Sequence, residues 1–188
     1  MQKSPLLSQR ALLAKQRVYL RNVLREHPTW VMGHARLGET ELHLELLRDG
    51  PKDPRALGAV RTSAAAVRLL DPYSGTGEKN RVQLEADYLE AMLRYLAKDY
   101  SAAVETFESL LVPASASHLP ERMYWSVLEH AGAALMVLGN DVKAKACFER
   151  IPVRARSGAQ ASAMRYLNLS AEERAHGAGP KPAGGCVR

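Results

Sequence analysis

The chain has 188 residues, of which 46% are apolar and 24% charged, and this balance is typical of a single globular domain. Only 6% are aromatic, which favours packed helices over a β-sheet because strands are usually richer in aromatic residues. No apolar run approaches the roughly 20 residues that span a bilayer, and the first residues lack the pattern of a secretory signal. Two cysteines, Cys147 and Cys186, indicate a reducing compartment rather than a disulfide framework, so we expect a cytoplasmic protein.

The net charge of +6 is concentrated at the two ends of the chain. Residues 1–27 carry six Lys/Arg and one acid, and residues 150–188 carry seven Lys/Arg and two acids. The residues between them carry 13 basic and 17 acidic side chains. The sequence therefore describes a slightly acidic body with two basic ends.

The predicted elements are helices throughout, starting with one over residues 6–26. Further helices are expected over residues 30–47, 54–70, 78–97, 101–111, 119–138, 141–151 and 157–175, followed by a disordered tail over residues 177–188. Prolines end these apolar helical stretches at similar intervals, because proline cannot continue a helix. Pro28, Pro72, Pro113 and Pro152 are separated by 44, 41 and 39 residues, which indicates an internal repeat of about 40 residues.

Two segments carry the clearest family resemblance. Lys98–Ala103 with Phe107 and Leu110, and Leu138–Asp141 with Ala144, Phe148 and Ile151, resemble the turn and second helix of a tetratricopeptide repeat. Leu37-Gly38, Ala91 and Gly132 resemble the small site of its first helix. The resemblance covers roughly residues 10–152, although these repeats exceed the family's usual length of about 34 residues. A HEAT-like or other helix-pair solenoid is the alternative.

The resemblance implies an all-α, right-handed superhelix (solenoid) of stacked antiparallel hairpins within one domain, residues 1–176. Its parts would be a half-repeat helix over residues 1–28, repeats over 29–72, 73–113 and 114–152, and a capping helix over 153–176. The expected function is that of a non-catalytic scaffold, adaptor or complex subunit that binds a protein or peptide partner in a concave groove. The groove positions are Arg36, Glu39, His43, Tyr88, Met92, Tyr95, Glu129, Ala133 and Met136.

Tyr88, Met92 and Tyr95 form a stripe at helical spacing that has two interpretations. They pack between hairpins as core residues, or they form a partly exposed anchor for a bound helix or peptide. The sequence leaves both open.

No pattern of reactive residues predicts catalysis. None of the six histidines pairs with another His or Cys at metal-ligand spacing, and Cys147 has no His partner. Carboxylates three residues apart, such as Asp87 and Glu90, lie among Lys and Arg and indicate a solvated surface. We therefore predict no catalytic residues, no metal and no cofactor.

The basic ends offer an alternative function. Arg10, Arg17 and Arg21 at one end, and Arg154, Arg156 and Arg165 at the other, predict electrostatic contacts with RNA or an anionic surface. Residues 1–25 contain no acid and also resemble a mitochondrial presequence, so a mitochondrial location is the alternative to a cytoplasmic one. The sequence predicts no oligomeric state.

Overall fold

The computed structural model describes residues 5–73, 79–155 and 157–169, and every regular element within these ranges is helical. The prediction of an all-α chain is therefore confirmed for the described residues. The helices are α1 (Pro5–Glu26), α2 (Val31–Leu46), α3 (Pro54–Leu70), α4 (Arg81–Leu96), α5 (Tyr100–Leu111), α6 (Pro113–Ala116), α7 (Glu121–Val137), α8 (Asp141–Glu149) and α9 (Gly158–Leu167), with a 3₁₀ turn at Val153–Ala155. None of the described helices has the length and apolar character that crossing a bilayer demands.

Most helix ends fall within three residues of their predicted positions, and the differences have local causes. Pro113 does follow the end of α5, but it also begins the short helix α6, since proline fits the first turn of a helix. The 3₁₀ turn after Pro152 was not predicted either. The predicted last helix, residues 157–175, corresponds to α9, which ends already at Leu167, so its predicted end was wrong. The residues from 170 onward, including the predicted tail 177–188, lie outside the described residues.

The chain forms two compact units, divided between Leu93 and Arg94 within α4. The predicted single domain over residues 1–176 stays a prediction. In the first unit, α2 packs against α1 and α3. Gly38 lies at a close approach of α2 to α3 and α4, because a Cβ there would be 3.0 Å from Ser63 Cβ on α3 and 2.5 Å from Leu89 Cδ1 on α4.

In the second unit, α7 packs against α5 and α8, and α8 also contacts α9. The core is formed by large apolar side chains, among them Phe107, Leu110, Leu128, Phe148 and Ile151. Gly132 on α7 allows α8 to approach, because a Cβ there would lie 2.8 Å from two ring atoms of Phe148. The small sites noted at Gly38 and Gly132 are therefore places of close packing.

Two turns of the second unit, 41 residues apart, are built alike. In each turn one residue adopts a left-handed conformation, Lys98 with φ 65° and Gly139 with φ 79°. The next residue caps the following helix: Asp99 accepts a hydrogen bond from Ala102 N and Asn140 accepts one from Lys143 N. The backbone bonds match as well, with Asp99 N donating to Arg94 O at 3.0 Å and Asn140 N donating to Leu135 O at 2.8 Å. The sequence similarity of the two segments thus has a counterpart in geometry.

We predict that Gly132→Ala lowers the free energy of unfolding by about 1–3 kcal/mol, because the new methyl group would overlap the buried Phe148 ring. The matched control is Gly58→Ala on α3, where a Cβ meets no atom within 4 Å. That substitution should raise the stability by about 0.5–1 kcal/mol through lower chain entropy in the unfolded state. Urea unfolding followed by circular dichroism measures both, and equal effects of the two changes would contradict the packing role of Gly132.

The two left-handed turn residues predict opposite responses to substitution. Lys98→Gly should stabilise the protein by about 0.5–1 kcal/mol, because glycine adopts positive φ without a steric penalty. Gly139→Ala should destabilise it by about 1 kcal/mol for the same reason. Thermal unfolding of both variants tests this pair, and a Lys98→Gly variant that is less stable than the parent would argue against the turn geometry.

Candidate functional site

One line of residues along α2 is half-buried and is the candidate binding surface of the first unit. We call it the α2 strip, and its members are Met32, Arg36, Glu39, His43 and Leu46. Their spacing of four, three, four and three residues keeps them on one side of a helix. The residues on both flanks of this line are buried, with Gly33 and Thr40 on one flank and Ala35 and Leu42 on the other. Three of the predicted groove residues, Arg36, Glu39 and His43, therefore lie together on the open side of α2.

Ion pairs hold the charged members of the α2 strip in place. Arg36 Nη1 donates to Glu39 Oε2 at 2.7 Å, and Arg36 Nη2 lies 3.5 Å from Glu85 Oε1 on α4. Arg81 Nε donates to the same Glu85 oxygen at 2.9 Å. The Glu85 side chain is only 2% exposed, whereas those of Arg36 and Glu39 are 30% and 26% exposed. The buried carboxylate of Glu85 thus holds Arg36 in position, and part of the Arg36 side chain stays open to solvent.

His43 completes the polar part of the α2 strip. Burial lowers the pKa of its imidazole from the ordinary value, and the nearby carboxylate of Glu39 opposes this effect only in part. Because the ordinary value is 6.5, the ring is neutral at pH 7. It can therefore accept one hydrogen bond and donate another. The α2 strip offers a partner one cation, one anion, a neutral imidazole and two apolar side chains.

The predicted aromatic stripe lies in the interior instead of on a surface. Tyr88, Met92 and Tyr95 are 2%, 0% and 5% exposed. In the second unit, the Tyr95 ring makes edge-to-face contacts with Tyr100 and with His130 at centroid distances of 5.6 and 5.1 Å. Of the two interpretations of this stripe, these exposures favour packing.

The solvent-facing side of α4 is polar. It carries Gln83, Asp87, Glu90 and Arg94, all half-buried. Asp87 is held by Arg68 at 3.2 Å and by Lys79 at 2.5 Å, beside a cleft of about 300 Å³. The charged groups of Arg68, Lys79 and Asp87, which line this cleft, thus form ion pairs with one another.

The predicted groove positions of α7 differ in exposure. Glu129 and Ala133 are half-buried, while Met136 is only 5% exposed. Glu129 accepts a hydrogen bond from Ser157 Oγ at 3.0 Å, so the segment before α9 lies against it. The surface of α7 at Glu129 is therefore partly covered by the segment before α9.

The basic residues predicted to make electrostatic contacts have different environments. Arg21 and Arg17 on α1 lie 2.5 and 3.6 Å from the carboxylate of Glu41, whose side chain is 2% exposed. These two arginines are therefore committed to a buried acid inside the protein. Arg10 is exposed, as are Arg154 and Arg165, while Arg156 lies outside the described residues. The sequence analysis missed this network, since nothing in the local pattern marks Glu41 or Glu85 as buried.

One serine–histidine contact resembles a catalytic pair but has a different hydrogen-bond arrangement. Ser126 Oγ lies 3.3 Å from His130 Nδ1, and the same nitrogen lies 2.8 Å from the Ser126 carbonyl oxygen. Since a carbonyl only accepts, Nδ1 carries the proton and cannot act as a base toward the hydroxyl. His130 is buried against the ring of Phe107 and has a structural role.

Cys147 is also explained by packing. Burial raises the pKa of the Cys147 thiol, which keeps it protonated and weakly reactive. A search of the described ranges finds no cluster of three His, Cys, Asp or Glu side chains that could hold a metal ion.

We predict that removing only the two cations that pair with Glu41 costs more stability than removing Arg17, Arg21 and Glu41 together. Replacing both cations, Arg17→Met with Arg21→Met, should cost about 3–5 kcal/mol, because it leaves a buried carboxylate without a counter-ion. Adding Glu41→Met should restore most of the loss, since the carboxylate that had lost its counter-ions is then removed as well. Urea unfolding of the double and triple variants measures this. A triple variant no more stable than the double variant would show that the cost lies elsewhere.

Comparison with known proteins gives no relative. No protein-family model, no curated protein and no solved structure matches the chain.

Proposed function

We propose that this protein is a non-catalytic interaction scaffold of the tetratricopeptide type, which binds a protein or peptide partner along the α2 strip. The observation that carries the proposal is the α2 strip itself. It combines a positioned Arg36, a Glu39 and a neutral His43 in one half-buried line of α2 that has buried residues on both flanks. A rigid helix with one open polar side can bind a partner with little loss of conformational entropy.

The repeat architecture belongs to the same proposal. The matching turns at Lys98 and Gly139, 41 residues apart, support a helical repeat, as do the close approaches at Gly38 and Gly132. We propose that such hairpins stack as a right-handed superhelix, the arrangement that the resemblance implies. A partner would then bind as an extended peptide or a helix, the two modes that helical repeats accommodate.

The alternative, RNA or anionic-surface binding through the basic ends, has less support. Arg17 and Arg21 pair with Glu41, whose negative charge offsets part of the positive charge of α1. Binding through phosphate contacts would fall steeply with salt, whereas binding along the α2 strip depends on a mixed polar and apolar surface. The compartment, cytoplasmic or mitochondrial, stays a prediction.

Affinity capture with the full chain tests the proposed function. The tagged protein is incubated with native lysate, with and without nuclease, and bound proteins are identified by mass spectrometry. The test variant combines Glu39→Gln with His43→Ala, which alters the α2 strip and keeps the Arg36–Glu85 pair. The control combines Arg61→Gln with Leu69→Ala on the exposed side of α3.

We expect a partner that survives nuclease and binds the control as it binds the parent. Its affinity for the strip variant should fall at least about tenfold, a loss of about 1.4 kcal/mol. Equal binding by both variants would remove the α2 strip as the site. Capture that disappears with nuclease would move the function to the basic ends.

A further inference from the structure

The connection between α2 and α3 contains an aspartate that is followed by a glycine, Asp49-Gly50. The other five aspartates of the chain precede proline, tyrosine or valine, and no asparagine precedes a glycine. Glycine has no side chain to shield its backbone nitrogen, and its backbone rotates more freely than that of any other residue. Asp49 is therefore the carboxyl group of this chain that its own backbone can reach most easily.

The structure leaves this pair of residues free to move. Asp49 and Gly50 are both exposed, and a Cβ at Gly50 would meet no atom within 4 Å. In the described ranges, neither the Asp49 carboxylate nor the Gly50 backbone N forms a hydrogen bond or an ion pair. Asp87 is the opposite case, because it lies within α4 and is held by Arg68 and Lys79. Only the pair in the α2–α3 connection thus combines a following glycine with freedom of rotation.

The two ends of this connection are joined by contacts around Glu45, which is 5% exposed. Glu45 Oε2 accepts a hydrogen bond from Asp53 N at 2.8 Å, and Lys52 Nζ donates to Glu45 O at 2.8 Å. Arg48 Nη1 lies 3.3 Å from Glu45 Oε1 and 3.3 Å from Asp53 Oδ2. Asp49 lies midway between the joined residues, so a change in the length of the chain there acts on a closed loop.

We propose that Asp49 is a site of spontaneous isoaspartate formation, a covalent change that accumulates with the age of the protein and loosens the α2–α3 connection. The Gly50 backbone N attacks Cγ of the protonated Asp49 carboxyl, and the hydroxyl leaves with the amide proton as one water molecule. The product is a five-membered succinimide. Water then cleaves the bond between the ring nitrogen and the α-carbonyl carbon, which leaves Gly50 joined to Asp49 through Cγ. The reaction needs no oxidant and no enzyme, and it leaves the mass unchanged.

The modification changes the connection in two ways. It adds one methylene group to the main chain, which lengthens it by a bond of about 1.5 Å, and it moves the carboxylate onto the α-carbon. Because Glu45 and Asp53 close the loop, the added length must be accommodated between them. The Asp53 N–H should then separate from the Glu45 carboxylate more often than in the unmodified protein.

The test follows the full chain during incubation at neutral pH and physiological temperature. After digestion, liquid chromatography with electron-transfer fragmentation distinguishes isoaspartate from aspartate, and a synthetic peptide of residues 45–55 gives the rate without the fold. The matched control is Asp49→Glu, which keeps the charge but would have to close a six-membered ring. Asp49→Asn is the accelerated variant, because ammonia leaves more readily than water.

We expect isoaspartate at residue 49 of the folded parent at a rate within about tenfold of that in the peptide. It should be absent from Asp49→Glu and form at least tenfold faster in Asp49→Asn. Hydrogen exchange of the Asp53 amide should be at least tenfold faster in the converted protein than in equally aged Asp49→Glu. A folded rate more than a hundredfold below that of the peptide overturns the proposal, as does equal conversion at another aspartate. Unchanged exchange at Asp53 in the converted protein overturns the loosening of the connection.

Discussion

The structure of the first unit depends on how buried carboxylates on and beside α2 are compensated. Glu41 and Glu45 on α2, and Glu85 on α4, are at most 5% exposed. Each needs a cation or an N–H donor, because a buried charge without a partner costs several kcal/mol, on the order of 3–5. Glu41 binds arginines of α1 and Glu85 binds arginines of α2 and α4. Glu45 accepts from Asp53 N at 2.8 Å, which holds the α2–α3 connection.

This constraint also decides which charges reach the surface. Arg17 and Arg21 of α1 pair with Glu41, and their side chains stay 37% and 53% exposed. Arg36 forms an ion pair with the buried Glu85, yet its side chain is exposed enough to contact a partner. The same pairs that stabilise the interior therefore hold partly exposed arginines in fixed positions on α1 and α2. Net charge alone, +6, would not have distinguished these surfaces.

The sequence predicted the helices well because capping and proline signals are local. Asp53 before Pro54, and Asp99 and Asn140 before their helices, carry this information in adjacent residues. Burial depends on tertiary neighbours, so the sequence could not decide whether Tyr88, Met92 and Tyr95 were exposed. It also could not show that Glu41 and Glu85 were buried, since Arg17, Arg21 and Arg36, which pair with them, are 20 or more residues away in the chain. The candidate site was predicted in part: Arg36, Glu39 and His43 share one open side of α2 because helical periodicity is a local property.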